Sequence, residues 1–156
     1  MISISILGNR DVQYGILFST VATVLSFLCF FLFIQGFFAL FDIYFLFGSI
    51  LGIYYALKTR EKGQSILKTG VLTGVIGGLI SSFFISIFYS ILFIKIYDFA
   101  SLFFYFFGYI LISGLVIGLL AGALISAYFM YKDAREEGKI EEEDTSDDFF
   151  DELVGK

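Results

Sequence analysis

Long uncharged stretches and short charged ones alternate along the chain. Uncharged runs cover 12–41, 43–57, 69–94 and 99–131, and Asp42 alone separates the first two. A bilayer core about 30 Å thick takes about 20 helical residues per crossing. Residues 12–57 therefore hold two crossings, and the later runs hold one each. A helix of a soluble bundle is apolar at about three or four positions in seven and polar opposite, whereas these runs are apolar all round. The pattern predicts an all-α, four-helix transmembrane bundle with helices at about 14–34, 38–57, 70–94 and 107–130. Gln35-Gly36 is the turn within the first block, because Gly relieves backbone strain there. The polar segment 58–68 joins helices 2 and 3, and residues 95–98 lead out of helix 3. Residues 99–106 read either as an interfacial segment or as an outward extension of helix 4.

Charge divides the chain into a membrane domain, 1–133, and an acidic tail, 134–156, that is expected to be disordered and cytoplasmic. The net charge of −5 comes from that tail, since ten of the fifteen acids lie in it. With four crossings, Arg10, Lys58, Arg60, Lys62, Lys68, Lys132, Arg135, Lys139 and Lys156 share one side. Lys95 stands alone on the other. The positive-inside rule then puts both termini in the cytoplasm, with a bacterial inner membrane as the expected location. Arg10 and Asp11 precede an apolar run longer than a signal peptide's core of about 7–15 residues, so the first helix reads as uncleaved. No basic patch points to nucleic acid.

Small residues recur at four-residue spacing in three helices: Gly48, Gly52 and Ala56; Gly70, Gly74 and Gly78; Gly114, Gly118 and Gly122. Helix 1 offers the weaker pairs Gly15/Ser19 and Ala22/Ser26. Residues four apart share a face, so each series forms a groove in which a second backbone can approach closely. These grooves serve packing within one chain, with a homo-oligomer as the alternative. The series lie mostly in the cytoplasmic halves of helices 2, 3 and 4. Of 22 Phe, only Phe18, Phe129, Phe149 and Phe150 fall in that half. The bundle is therefore expected to be pinched at one end and broad at the other.

Few residues offer chemistry. Asp42 is expected about one turn inside helix 2, where it would be structural, pairing with Lys95, or part of a transport path. Ser82, Ser86 and Ser90 share a face of helix 3 and serve either as packing groups or as a thin polar path. Cys29 is expected to be a small buried apolar residue. The chain has no His, the usual general base and commonest metal ligand. No enzymatic activity, cofactor or metal is expected. In the tail, Phe149, Phe150, Leu153 and Val154 fall at helical spacing among acids. That pattern reads either as a solubilising tail that binds nothing or as a short helix that docks in a basic groove on a cytoplasmic protein.

The stretch Gly52-Ile-Tyr-Tyr-Ala-Leu-Lys58, the polar loop after it, Leu67-Lys-Thr-Gly-Val-Leu-Thr-Gly74 and the glycine-rich helix ending in Lys132 resemble the bacterial domain-of-unknown-function family 4199. The resemblance covers about residues 12–133. It implies a small four-helix inner-membrane protein and carries over no catalytic residue. A Pro-containing link between helices 3 and 4 is associated with that family, and this chain has no Pro. The resulting expectation is a non-enzymatic interaction or accessory subunit in the lipid bilayer. The second expectation is a small transporter or channel component that uses Asp42 and the helix 3 serines.

Overall fold

The computed structural model describes residues 10–33, 42–60, 63–94 and 98–154, with side chains in the last helix described as far as Glu136. The chain is an all-α bundle of α1 (Arg10–Phe33), α2 (Ile43–Thr59), α3 (Ile66–Phe93) and α4 (Phe99–Val154). Three stretches are long and apolar enough to cross a membrane: Arg10–Leu32, Ile66–Phe93 and Phe99–Glu136. The shorter α2 is also apolar, and its 17 residues reach about 25 Å at 1.5 Å per residue.

The helix ends differ from the sequence reading for local reasons. Helix 2 does not include Asp42, whose φ of 52° is left-handed and incompatible with a continuing right-handed helix. The backbone turns there, Phe45 N–H donates to the Asp42 carbonyl (3.0 Å), and α2 starts at Ile43. The expected turn at Gln35-Gly36 lies outside the described residues. α3 opens a turn early, at Ile66, where Thr69 N–H donates to the Ser65 carbonyl (3.0 Å). Gly63, with φ 97°, supplies the left-handed turn before it. Residues 99–106 belong to α4, which Asp98 caps: its carboxylate accepts the Ser101 N–H at 3.0 Å.

At its other end α4 continues past the membrane-length stretch through the acidic segment to Val154. A helix already nucleated propagates at little cost through good helix formers such as Ala134, Arg135, Glu136 and Lys139. Lys132 and Glu136 pair at 3.6 Å across one turn.

Two antiparallel hairpins build the bundle, each closed along a ladder of small residues. In the first, Gly15, Ser19 and Thr23 of α1 face Ala56, Gly52 and Gly48 of α2. The working series in α1 is thus Gly15–Ser19–Thr23, while Ser26 of the expected Ala22/Ser26 pair is only partly buried. In the second, Gly70, Gly74 and Gly78 of α3 face Gly122, Gly118 and Gly114 of α4. A Cβ on Gly74 would overlap the Gly118 carbonyl, and a Cβ on Gly118 would overlap that of Gly74. Gly77, outside the expected series, seats Ser19 and joins the hairpins. α2 and α3 each touch all three other helices.

Beyond the ladders the core changes to aromatic. Phe27, Tyr44, Phe45, Ile85 and Ile110 are buried together, with Phe31, Phe88, Tyr89 and Phe106 packed against them. Phe27 lies at the centre, edge-on to Tyr44, Phe88 and Tyr89 at centroid distances of 5.2–5.4 Å. Cys29 does not join this core. It is exposed on α1, because Phe27 and Phe31 occupy the inward face and leave a small apolar thiol to the lipid side.

Two outcomes are expected. Gly74→Leu or Gly118→Leu should each cost about 1–3 kcal/mol or more through forced separation of the backbones, read as a lower unfolding midpoint in detergent. Gly108, where an added methyl group would meet no atom within 4 Å, should tolerate Ala with equal or higher stability. Equal effects at Gly74 and Gly108 would contradict the ladder. At the start of α4, the Ser101 side-chain and backbone hydrogen bonds hold the Asp98 carboxyl below its ordinary 3.8. That lowered value makes the cap a contribution present above the ordinary carboxylate range and lost as pH falls through the folded value. The Ser101 amide should therefore keep its exchange protection at neutral pH and lose it in acid. In Asp98→Ala the protection should be low at both pH values.

Candidate functional site

Three places hold the polar groups from which a site could be made. The first is Asp42, at the aromatic end of the bundle. The Tyr44 hydroxyl donates to its Oδ1 at 2.8 Å, and the carboxylate is only partly buried. A residue in the turn before a helix can keep water contact, so Asp42 carries little of the cost of a carboxylate inside lipid. Its expected partner, Lys95, lies outside the described residues. Near this end, a mainly apolar cleft of about 460 Å³ is lined by Phe93, Ser101, Leu102, Tyr105 and Phe106.

The second place is the hydroxyl-rich interior of α3. Ser82, Ser86 and Ser90 are fully buried on one face, and Ser81 is buried beside them. Each hydroxyl donates to the carbonyl four residues back: Ser82 to Gly78 (2.7 Å), Ser86 to Ser82 (2.6 Å) and Ser90 to Ser86 (2.7 Å). Ser82 also reaches the Ile110 carbonyl of α4 at 3.2 Å. With donors committed to backbone, this face acts as narrow packing surface that adds a cross-helix bond, and a polar path would need those bonds broken.

A second set of hydroxyls includes Ser19, which the sequence marked only as a small-residue position, and Ser49 and Thr73, which sequence reasoning missed. Ser19 on α1, Ser49 on α2 and Thr73 on α3 are fully buried, and none has a hydrogen-bond partner among the described residues. Ser19 sits against Gly52 and Gly77, and the Thr73 methyl lies beside the Gly15 position. At these sites a small side chain is needed for close approach, and the hydroxyl comes with it. The four-residue spacing from Gly15 to Ser19 and from Thr73 to Gly77 was the available signal.

The third place is the opposite end. Arg60, just after α2, forms an ion pair with Asp133 of α4 and donates to the Leu57 carbonyl at 3.1 Å. One guanidinium thus closes the C-terminus of α2 and ties α4 to it where α4 leaves the bundle. Ser126 adds a bond from α4 to the Ile66 carbonyl at 3.2 Å. The expected contact residues Phe149, Phe150 and Leu153 fall within the helical extension, and their side chains lie outside the described set.

The two hydroxyl sets should respond with opposite sign. Ser82→Ala loses a made bond and should cost about 0.5–1 kcal/mol. Thr73→Val keeps the shape and removes an unsatisfied hydroxyl, so stability should hold or rise. Reversible unfolding in mixed micelles measures both, and a clear loss in Thr73→Val would mean that this hydroxyl is satisfied in the native protein. Comparison of the chain with protein-family profiles, curated proteins and solved structures yields no match.

Proposed function

We propose that this chain is a non-enzymatic interaction or accessory subunit of a bacterial inner membrane, with both termini cytoplasmic. The observation that carries the reading is the form of α4. It leaves the bundle as one unbroken helix to Val154, and the Arg60–Asp133 pair ties it to α2 at the point of exit. A helix anchored at its root and acidic along its extension is a fixed arm, which lowers the ordering cost of binding. Its partner is a cytoplasmic protein with a basic groove, and Phe149, Phe150 and Leu153, which share a helix face by spacing, are the apolar contacts. The concentration of Lys and Arg at the same end, nine of the ten in the four-crossing topology, supports the cytoplasmic assignment. The resemblance to family 4199 accords with this reading and is proposed with it. The transporter reading draws less support, because the α3 serines spend their donors on backbone and Asp42 stands in a turn.

Crosslinking with affinity purification from native membranes, on the full chain and on one ending at Ile140, tests the proposal. A protein partner captured by the full chain and lost from the shortened one is the expected result. Phe149→Ala with Phe150→Ala should lower its recovery by at least about tenfold, the loss of two apolar anchors. The same partners on both chains, or a homo-oligomer with no other protein, would overturn it and move the weight to transport.

A further inference from the structure

The end of the bundle that bears the α2–α3 connection repeats one side-chain pairing on three helices. Arg10 and Tyr14 on α1, Tyr54 and Lys58 on α2, and Tyr128 with Lys132 and Tyr131 with Arg135 on α4 are each four residues apart. Each pair therefore shares a helix face, one turn apart. In every pair the tyrosine lies on the bundle side and the base towards the tip. All eight residues are exposed, the tyrosines by 48–68%. On α4 the two pairs merge into a single stripe at positions 128, 131, 132 and 135.

Depth along the helix axis agrees with a membrane interface. From Tyr109 to Tyr128, both exposed on α4, the helix rises about 28 Å at 1.5 Å per residue. That is close to the hydrocarbon thickness of about 30 Å. Tyrosine favours the level where chains meet headgroups. The bases stand one turn further out, at the level of the phosphates, with their aliphatic stems lying back along the helix.

Charge selects the kind of headgroup. Among residues with described side chains, Arg10, Lys58, Arg60, Lys68, Lys132 and Arg135 stand here against Asp11, Asp133 and Glu136, and the further acids of α4, from Glu137 on, lie beyond the ring along its extension. Asp133 is taken up by Arg60. The Lys132–Glu136 pair is exposed, and such pairs are weak. Among the described residues the opposite end holds Asp42 and Asp98 and no base. Each tyrosine–base pair offers a phenol hydroxyl and a cation to one phosphate, and the cation adds attraction for a headgroup of net negative charge.

We propose that this ring binds the headgroups of anionic phospholipids, one at each tyrosine–base pair, and so selects the lipids around one end of the bundle. The proposal is separate from the adapter reading, since it needs neither the residues after Glu136 nor a protein partner.

The test uses the full chain reconstituted in nanodiscs of phosphatidylcholine and phosphatidylglycerol in equal parts. The protein is released, and native mass spectrometry reads the lipids retained. Retained phosphatidylglycerol should exceed its bulk share by at least about threefold, given a Lys or Arg worth of about fivefold at an anionic surface. The variant Arg10→Gln/Lys58→Gln/Lys132→Gln/Arg135→Gln should return to the bulk ratio while keeping its helicity and unfolding midpoint. Lys132→Gln alone, which leaves the other pairs intact, should lose part of the enrichment. Wild-type retention at the bulk ratio would overturn the proposal. So would enrichment unchanged in both variants, or a second copy of the chain crosslinked across the ring in place of lipid.

Discussion

Backbone proximity along two ladders of small residues is the constraint on which this fold depends. Between helices in lipid there is no gain from moving an apolar side chain out of one oily medium into another. What remains is dispersion across surfaces in close contact, and that falls off steeply with separation. Gly74 against Gly118 and Gly48 against Thr23 allow contact that a larger residue would prevent. With both hairpins closed in this way, Gly77 and Ser19 bring them together, and the position of every polar group follows.

The same constraint explains the distribution of hydroxyls and rings. Where backbones touch, only small residues such as Gly, Ala, Ser and Thr fit, so the ladders acquire buried hydroxyls as a consequence of their spacing. Some, such as Ser82, return their donor to the helix and gain a cross-helix bond. Others, such as Ser19 and Thr73, are held without a partner among the described residues. Past the ladder glycines Phe27, Tyr44, Phe88 and Tyr89 pack with edge-to-face contacts.

Chemistry follows the same division. Charged groups lie at the ends, where water and headgroups can solvate them, and the interior offers committed or sterically enclosed hydroxyls. Arg60 stands at the junction of the two regions. It serves the open end of α2 and the exit of α4 with a single guanidinium, whose planar fork suits two acceptors at once.

The apolar runs by themselves determined the class of protein, because run length against bilayer thickness is a one-dimensional comparison. They also placed the glycine series of helices 2, 3 and 4, since residues four apart share a face whatever the helix packs against. Three features were not legible in this way. Asp42 reads as helical from hydropathy, but its left-handed backbone depends on how the chain enters α2. Cys29 reads as buried because every neighbour is apolar, yet an all-apolar helix does not mark its inward face. The pairing of Ser19 with Gly52 and Gly77, and of Arg60 with Asp133, joins residues more than thirty positions apart. Such pairings depend on which helices are neighbours and at what height, and the sequence pattern is periodic in each helix alone. Only the tertiary structure could decide them, because height and neighbour are set jointly by all the ladders at once.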